Sequence, residues 1–490
     1  MKAEGMDPPS PALILRKIYS IKNNLWELDD EKDPRARAII SRYEELLKEQ
    51  NAFDFGDLIE KPVRLFRSHP DLLKKHQAEY SHILVDEYQD VNPAQYELVK
   101  LLAEKHRNLA VVGDDAQAIY GWRDANVEHF LTFTDDWSDA HVIKLEQNYR
   151  STQSIIEGAG SVVSHNTFQH EKTLWTENDK GTPIAVVGAK NAEEEAEYIA
   201  HAISNLYLAT EKNKSLITSS PASPAGRQLP VTVAVLYRTN AQSRAIEQAF
   251  IVAEIPYRIF GGVKFYERKE VKDVLAALRI AANPKDIVSR DRLEKALPKR
   301  VAQPLITALA ERGNQSHLEL ISLFLSEANY FALLRHEYPN ADERIENINE
   351  LIVFAGGFNT LHEFLERAAL LQSTDAPSKI LVASGRNALP PISLMTIHMS
   401  KGLEFDEVFV VGVSEGILPH QMSYGTLTEL EEERRLMYVA MTRARKKLTL
   451  TFYRIPSRFL YEIPPELTEF VSLSSTQENL PDDDIIFIDE

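Results

Sequence analysis

Residues 83–90 read Ile83-Leu84-Val85-Asp86-Glu87-Tyr88-Gln89-Asp90. A short apolar run broken at once by adjacent acids predicts a buried strand that ends in carboxylates. Such a strand sets its acids at the C-terminal edge of a sheet, where open α/β sheets bind ligands. One carboxylate there can hold Mg2+ through water, and the next can polarise an attacking water. A helix N-cap with first-turn charge explains an Asp-Glu pair about as well, so the pair needs its surroundings.

Those surroundings repeat the pattern. Asn108–Val112 is a second apolar run, ending in Gly113-Asp114-Asp115. Pro183–Val187, Val231–Leu236, Ile392–Ile397, Glu407–Val411 and Leu448–Phe452 have the same texture. Helical periodicity separates them at Ala94–Lys105, Ala192–Tyr207 and Ser243–Val252. Short buried strands alternating with helices predict an α/β protein with parallel sheets. Before Tyr80 the chain is polar and helical in pattern, as at Ala36–Lys48. Pro284–Pro377 has helical patterns such as Leu318–Ala328 and Ala341–Phe354 and no convincing strand, so an all-α insert is expected there. Leu208–Pro230, rich in Ser, Thr, Pro and Lys, predicts a flexible surface insertion.

Bulk properties narrow the class. A length of 490 residues suggests roughly two to four domains. No apolar run approaches the ~18–20 residues of a membrane span, and Met1–Pro11 lacks a signal-peptide core. A cytoplasmic protein with no membrane partner is expected. There are no cysteines, which excludes disulfides, thiolate metal sites and cysteine nucleophiles. The histidines are scattered without an HExxH pair, which argues against zinc. The formal charge of −18 argues weakly against nucleic acid, but binding grooves use local charge. Gln477–Glu490 holds six acids and no base, and reads as a solvated tail.

Four further stretches carry candidate chemistry. In Val111–Arg123, a strand ends in two acids and Gln117, whose amide could sense a γ-phosphate; Tyr120, Trp122 and Arg123 follow. Aromatic and guanidinium faces suit sequence-tolerant stacking on single-stranded bases, although taken alone Tyr120 and Trp122 read more readily as core aromatics. In Leu145–Ser151, Arg150 could reach a phosphate while Tyr149 stacks on a base. Leu394–Phe405 is a strand, a polar turn and then Glu404. In Glu432–Arg445, a helix would bring Arg435, Val439 and Arg443 to one face. Taken alone, Leu145–Ser151 also reads as a polar surface stretch, and the charges of Glu432–Arg445 are those an ordinary solvated helix would show.

Taken in order, these texts resemble motifs II to VI of superfamily 1 helicases of the UvrD/Rep/PcrA type. The resemblance runs from about Phe53 to Pro464. It includes Phe53–Leu58 ahead of motif II, Ile255–Glu270 ahead of an accessory insert, and Glu343–Asn347 inside that insert. It implies two RecA-like α/β motor domains, the first incomplete, with a helical insert in the second. It further implies an ATP-dependent 3′–5′ DNA helicase that uses ATP and Mg2+, acts on single-stranded and duplex DNA, and serves repair or replication restart. Residue by residue, Asp86 would hold Mg2+ and Glu87 would activate water. Gln117 would couple the γ-phosphate to movement. Tyr149 would stack near adenine, Arg150 would approach the γ-phosphate, and Glu404 would reach the ribose. Arg443 would be the arginine finger. Tyr120, Trp122, Arg123, Thr396 and His398 would line the DNA path.

The expected division is 1–79, a remnant of a helical insert and lead-in; 80–144, the rest of the first motor domain; 145–283 and 390–472, the second motor domain, with 208–230 as its flexible insertion; 284–389, the helical accessory domain; and 473–490, an acidic tail.

The sequence also departs from the resemblance. The family opens with GxxxxGK[ST], whose backbone amides and lysine cradle the phosphates. None of the 19 glycines here is followed by lysine. The chain by itself is therefore expected to be deficient in ATP hydrolysis, with a separate chain as one source of the cradle. The first sheet is expected to show a bare edge or apolar face. Asp124 stands where the family usually has glycine, and an acid there is expected to weaken DNA binding. A non-enzymatic remnant that binds nucleic acid or a protein partner is the competing reading.

Overall fold

The computed structural model describes residues 9–217, 231–373 and 391–473. Its described strands are β1 Ile83–Val85, β2 Leu109–Val111, β3 Ile184–Ala189, β4 Val233–Tyr237, β5 Tyr257–Ile259, β6 Ile392–Thr396, β7 Phe405–Val410, β8 Ala444–Tyr453 and β9 Thr468–Ser472. They form two parallel sheets. β1 pairs with β2, and the other seven run in the order β5-β6-β4-β7-β8-β3-β9. The α/β architecture is thus as the apolar runs predict.

Period two explains why the larger sheet is buried on both faces. Ala234 and Leu236 of β4 join Met395, Val408, Val410 and Leu450 in one core. Val233, Val235 and Tyr237 of the same strand join Leu394, Phe409 and Val411 in the other. Helices Gln153–Val163 and Leu427–Met441 cover the first face. Helices Ala192–Ile217 and Ser243–Val252 cover the second. The smaller sheet has no such cover at Leu84, which is 81 % exposed, so the bare apolar face is present.

Between β5 and β6 the chain forms a helical body with its own core, from Phe265 to Leu371. Helix Lys269–Ala282 is buried on nearly every side within it, so the helical body begins ahead of the Pro284 boundary. A buried polar joint ties this body to the larger sheet. Arg268 donates to Asn240 O (2.9 Å), Ser243 Oγ (2.8 Å) and Asn347 Oδ1 (2.7 Å). Glu270 accepts from Arg344 Nη1 and Asn347 Nδ2, each at 2.6 Å. The stretches 255–270 and 343–347 are therefore two halves of one joint.

The segment ahead of β1 is helical, as expected: Pro11–Asn23, Pro34–Glu49, Asp57–Ser68 and Pro70–Glu79. The Lys22 amine sits among Glu44, Asp54 and Asp57 and pins three of these helices together. Burial lowers its pKa, but those carboxylates outweigh burial and raise it.

Two expectations are corrected. Helix Ala192–Ile217 continues through 208–217, where an insertion was expected to begin; Ala209, Glu211 and Lys212 are good helix formers and no proline intervenes. Residues 218–230 and the acidic tail lie outside the described residues. Arg443 is not on the helix with Arg435, because that helix ends at Met441 and Arg443 leads into β8. β5 and β9 gave no signal, being strands at the two sheet edges. No described helix is long and apolar enough to cross a membrane.

Candidate functional site

β1 ends at Val85, so Asp86 and Glu87 stand at the C-terminal edge of the smaller sheet, both exposed. Asp86 Oδ1 accepts from the Glu87 N–H (2.9 Å). Glu87 has φ +53°, a left-handed conformation that a non-glycine residue adopts only where its surroundings enforce it. Gln89 Nε2 holds Glu87 Oε2 at 2.6 Å. From the larger sheet's side, Lys401 Nζ reaches Glu87 Oε2 at 3.4 Å, pairs with Asp90 and donates to Gln117 O (2.8 Å). Burial raises the Asp90 pKa, with Lys401 partly offsetting it.

Gln117 lies in the turn after β2, its amide donating to Asp114 Oδ2 (2.8 Å). Its Oε1 faces Arg443 Nη2 at 3.4 Å, so two residues far apart in sequence meet here. Arg443 is 1 % exposed and donates to Val439 O (3.0 Å) and Leu403 O (3.1 Å). Among the described residues it forms no ion pair, and burial, then the neighbouring Arg150, lower its pKa to about 10. A buried guanidinium without a counter-ion is costly, and an anionic oxygen would satisfy it. Arg150 donates to Thr442 O (3.2 Å) and pairs with Glu404. Arg445 and Arg150 hold Glu404 below the usual carboxylate range. Tyr149 is 79 % exposed, its hydroxyl tied to Gln147 Oε1 (2.8 Å), which leaves the ring free to stack. Glu87, Gln117, Arg150, Glu404 and Arg443 thus form one connected cluster.

The aromatic group lies beyond it. Tyr120 and Trp122 ring centroids are 6.4 Å apart, and each lies 6.3–6.4 Å from His398. Arg123 sits over both rings, at 5.3 Å from Tyr120 and 4.4 Å from Trp122. Trp122 is 63 % exposed, whereas Tyr120 is half-buried against the larger core, so the core reading holds for Tyr120 only in part. Burial, then Arg238 and Arg123, push His398 down to about 3, which keeps its imidazole neutral. Thr396 Oγ1 accepts from the Met399 N–H (3.3 Å) and so caps the short helix Ile397–Ser400.

This segment is anchored away from its own sheet. Ala116 and Ile119 are buried in the core of the larger sheet. Lys172 pairs with Asp114 and Asp115, and the His170 N–H donates to Asp115 Oδ2 (3.2 Å). Burial lowers the Lys172 pKa, but the two aspartates outweigh burial and raise it. Asp124 has φ +63°, where glycine is the easy residue. Its carboxylate accepts from Asn23 Nδ2 (3.1 Å) and Ser20 Oγ (3.5 Å), so it is engaged by the helix Pro11–Asn23 instead of standing as a free acid. Lys401 lies in the polar turn of Leu394–Phe405, where nothing in the sequence marks it out. Lys172 lies in an irregular stretch, Glu171–Trp175, that carries no periodic signal.

Comparison with known proteins identifies the family. The family model "UvrD/REP helicase N-terminal domain" matches residues 12–138, and "UvrD-like helicase C-terminal domain" matches 143–343 and 334–454. The chain is 36 % identical to "ATP-dependent DNA helicase PcrA" of Bacillus subtilis, over 96 % of this chain and 70 % of that protein. It is 34 % identical to the PcrA of Leuconostoc citreum, over 94 % and 68 %. It is 36 % identical to "DNA helicase II" of Rickettsia typhi, over 88 % and 71 %. With both family domains matched in order over most of its length, the chain belongs to the UvrD/Rep helicase family.

Proposed function

We propose that the protein is a DNA helicase component that couples ATP to 3′–5′ movement along one DNA strand, in repair or replication restart. The observation that carries this is the contact between Gln117 and Arg443, a buried arginine with no carboxylate partner among the described residues, at the seam of the two sheets. A γ-phosphate there would meet Arg443, Gln117 and Arg150 together, and a loose phosphoryl-transfer transition state gains most from such positioned charge. Asp86 is exposed at the strand end and suits a water-bridged Mg2+, which would neutralise phosphate charge when bound. Glu87 is the general base, and Tyr149 offers a free ring to adenine. Trp122, Tyr120 and Arg123, with His398 beside them, form the strand-binding platform. His398 is neutral, so it stacks without adding charge.

A second reading is favoured by one observation: no glycine in the 490 residues precedes a lysine. The groups named above act on a phosphate that is already held. The chain as it stands therefore binds single-stranded DNA and does not turn over ATP unaided. DNA-stimulated ATP hydrolysis by the purified chain tests this, with Glu87→Gln as control. No turnover, with DNA binding that weakens on Trp122→Ala, is the expected result. Turnover abolished by Glu87→Gln would mean that another element cradles the phosphates.

A further inference from the structure

Gly121 separates the two rings of the platform, and its N–H donates to Glu432 Oε1 at 3.1 Å. Glu432 lies in the first half of helix Leu427–Met441, whose C-terminal end leads through Thr442 to Arg443. The contact is close: a Cβ on Gly121 would collide with the Glu432 carboxylate. Four residues earlier on the same segment, Gln117 is met by Arg443. This helix and the turn that follows it therefore hold the Asp114–Arg123 segment at two points, one beside the aromatic platform and one beside the phosphate-facing cluster. Between those points Ile119 is fully buried in the core this helix lines, so the segment cannot slide without disturbing the helix.

We propose that Glu432 is a positioning residue for single-stranded DNA binding. Its carboxylate fixes the backbone between Tyr120 and Trp122, so that the stacking platform is set by the helix that leads through Thr442 into Arg443. A displacement of Arg443 on phosphate binding then reaches the platform through the helical stretch from Met441 back to Glu432, roughly two and a half turns long. The proposal rests on the reading of Tyr120 and Trp122 as DNA contacts. Burial raises the Glu432 pKa, as expected for a carboxylate withdrawn from water toward one N–H donor.

The test measures binding of fluorescein-labelled oligothymidylate to the full chain by anisotropy, with thermal unfolding as a check on folding. Glu432→Ala is expected to weaken binding about tenfold, the size of one charge-assisted hydrogen bond. Glu432→Gln keeps an acceptor of the same shape and is expected to stay within about threefold of the parent chain. Gly121→Ala, which displaces the carboxylate, should match Glu432→Ala, and the double variant should be no worse than either single one. Unchanged binding in Glu432→Ala while Trp122→Ala weakens it would overturn the role of Glu432. Glu432→Gln as damaging as Glu432→Ala would overturn it too, because loss of shape-matched acceptance would not be the cause. Unchanged binding in Trp122→Ala would instead sink the underlying reading of the platform.

Discussion

Glu195 is buried at the start of helix Ala192–Ile217, and burial pushes its pKa up to about 7. Thr451 Oγ1 (2.6 Å) and the Gly412 N–H (2.9 Å) both donate to its Oε1. The folded-state pKa exceeds the ordinary value of 4.5, so the protonated acid is the form the fold favours. That contribution is complete below pH 4.5, fades as pH rises, and is gone above about pH 7. Glu195→Gln keeps the acceptor and removes the charge. It should raise the unfolding temperature at pH 8, by an amount worth up to about 3 kcal/mol, and make little difference at pH 4.5. An equal effect at both pH values would show that the carboxyl is not protonated in the fold. Glu195 had no signature in the sequence, because a helical glutamate is ordinarily solvated. Asp86 and Glu87 were legible for the opposite reason: acids straight after an apolar run are unusual. Glu432 was hidden because its partner is a backbone N–H, which any residue supplies.

At the level of elements, legibility followed burial. β3, β4, β6, β7 and β8 are interior strands and announce themselves as apolar runs. β5 and β9 form the edges, with fewer neighbours to demand such runs, and β5 is only three residues long. The helical body's start was misread because helix Lys269–Ala282 follows a motif that belongs to the joint. That joint gives an element-scale prediction. Asn347 serves Arg268 and Glu270 at once, so Asn347→Ala strips a partner from each inside a buried network. A loss of about 2–4 kcal/mol in urea unfolding is expected. A change below about 0.5 kcal/mol would mean that water replaces the amide.

For the whole molecule, the smaller sheet is tied to the larger one by several polar contacts, and Lys172 makes two of them. Its amine lies between Asp114 and Asp115, and Asp115 is itself buried. Lys172→Met would leave that aspartate without its cation, at a cost of about 3–5 kcal/mol. Calorimetry should then show the smaller sheet melting ahead of the larger one, where the parent shows less separation. A variant whose melting profile matches the parent's would place the coupling elsewhere, with Lys401 and Asp90 the next pair to test.

The strand order also dictates a timetable. Ala185 of β3 pairs with Thr449 of β8, and Ile184 with Thr468 of β9. During synthesis, β3 leaves the ribosome long before either partner exists, and at ~5–20 residues per second the wait is roughly 10–60 s. The helical body, whose core is drawn from one continuous stretch, is complete before β6 emerges. A nascent chain arrested after residue 373 would thus carry a finished helical body and an unclosed sheet, with β3 and β4 as bare hydrophobic strands for a chaperone to shield.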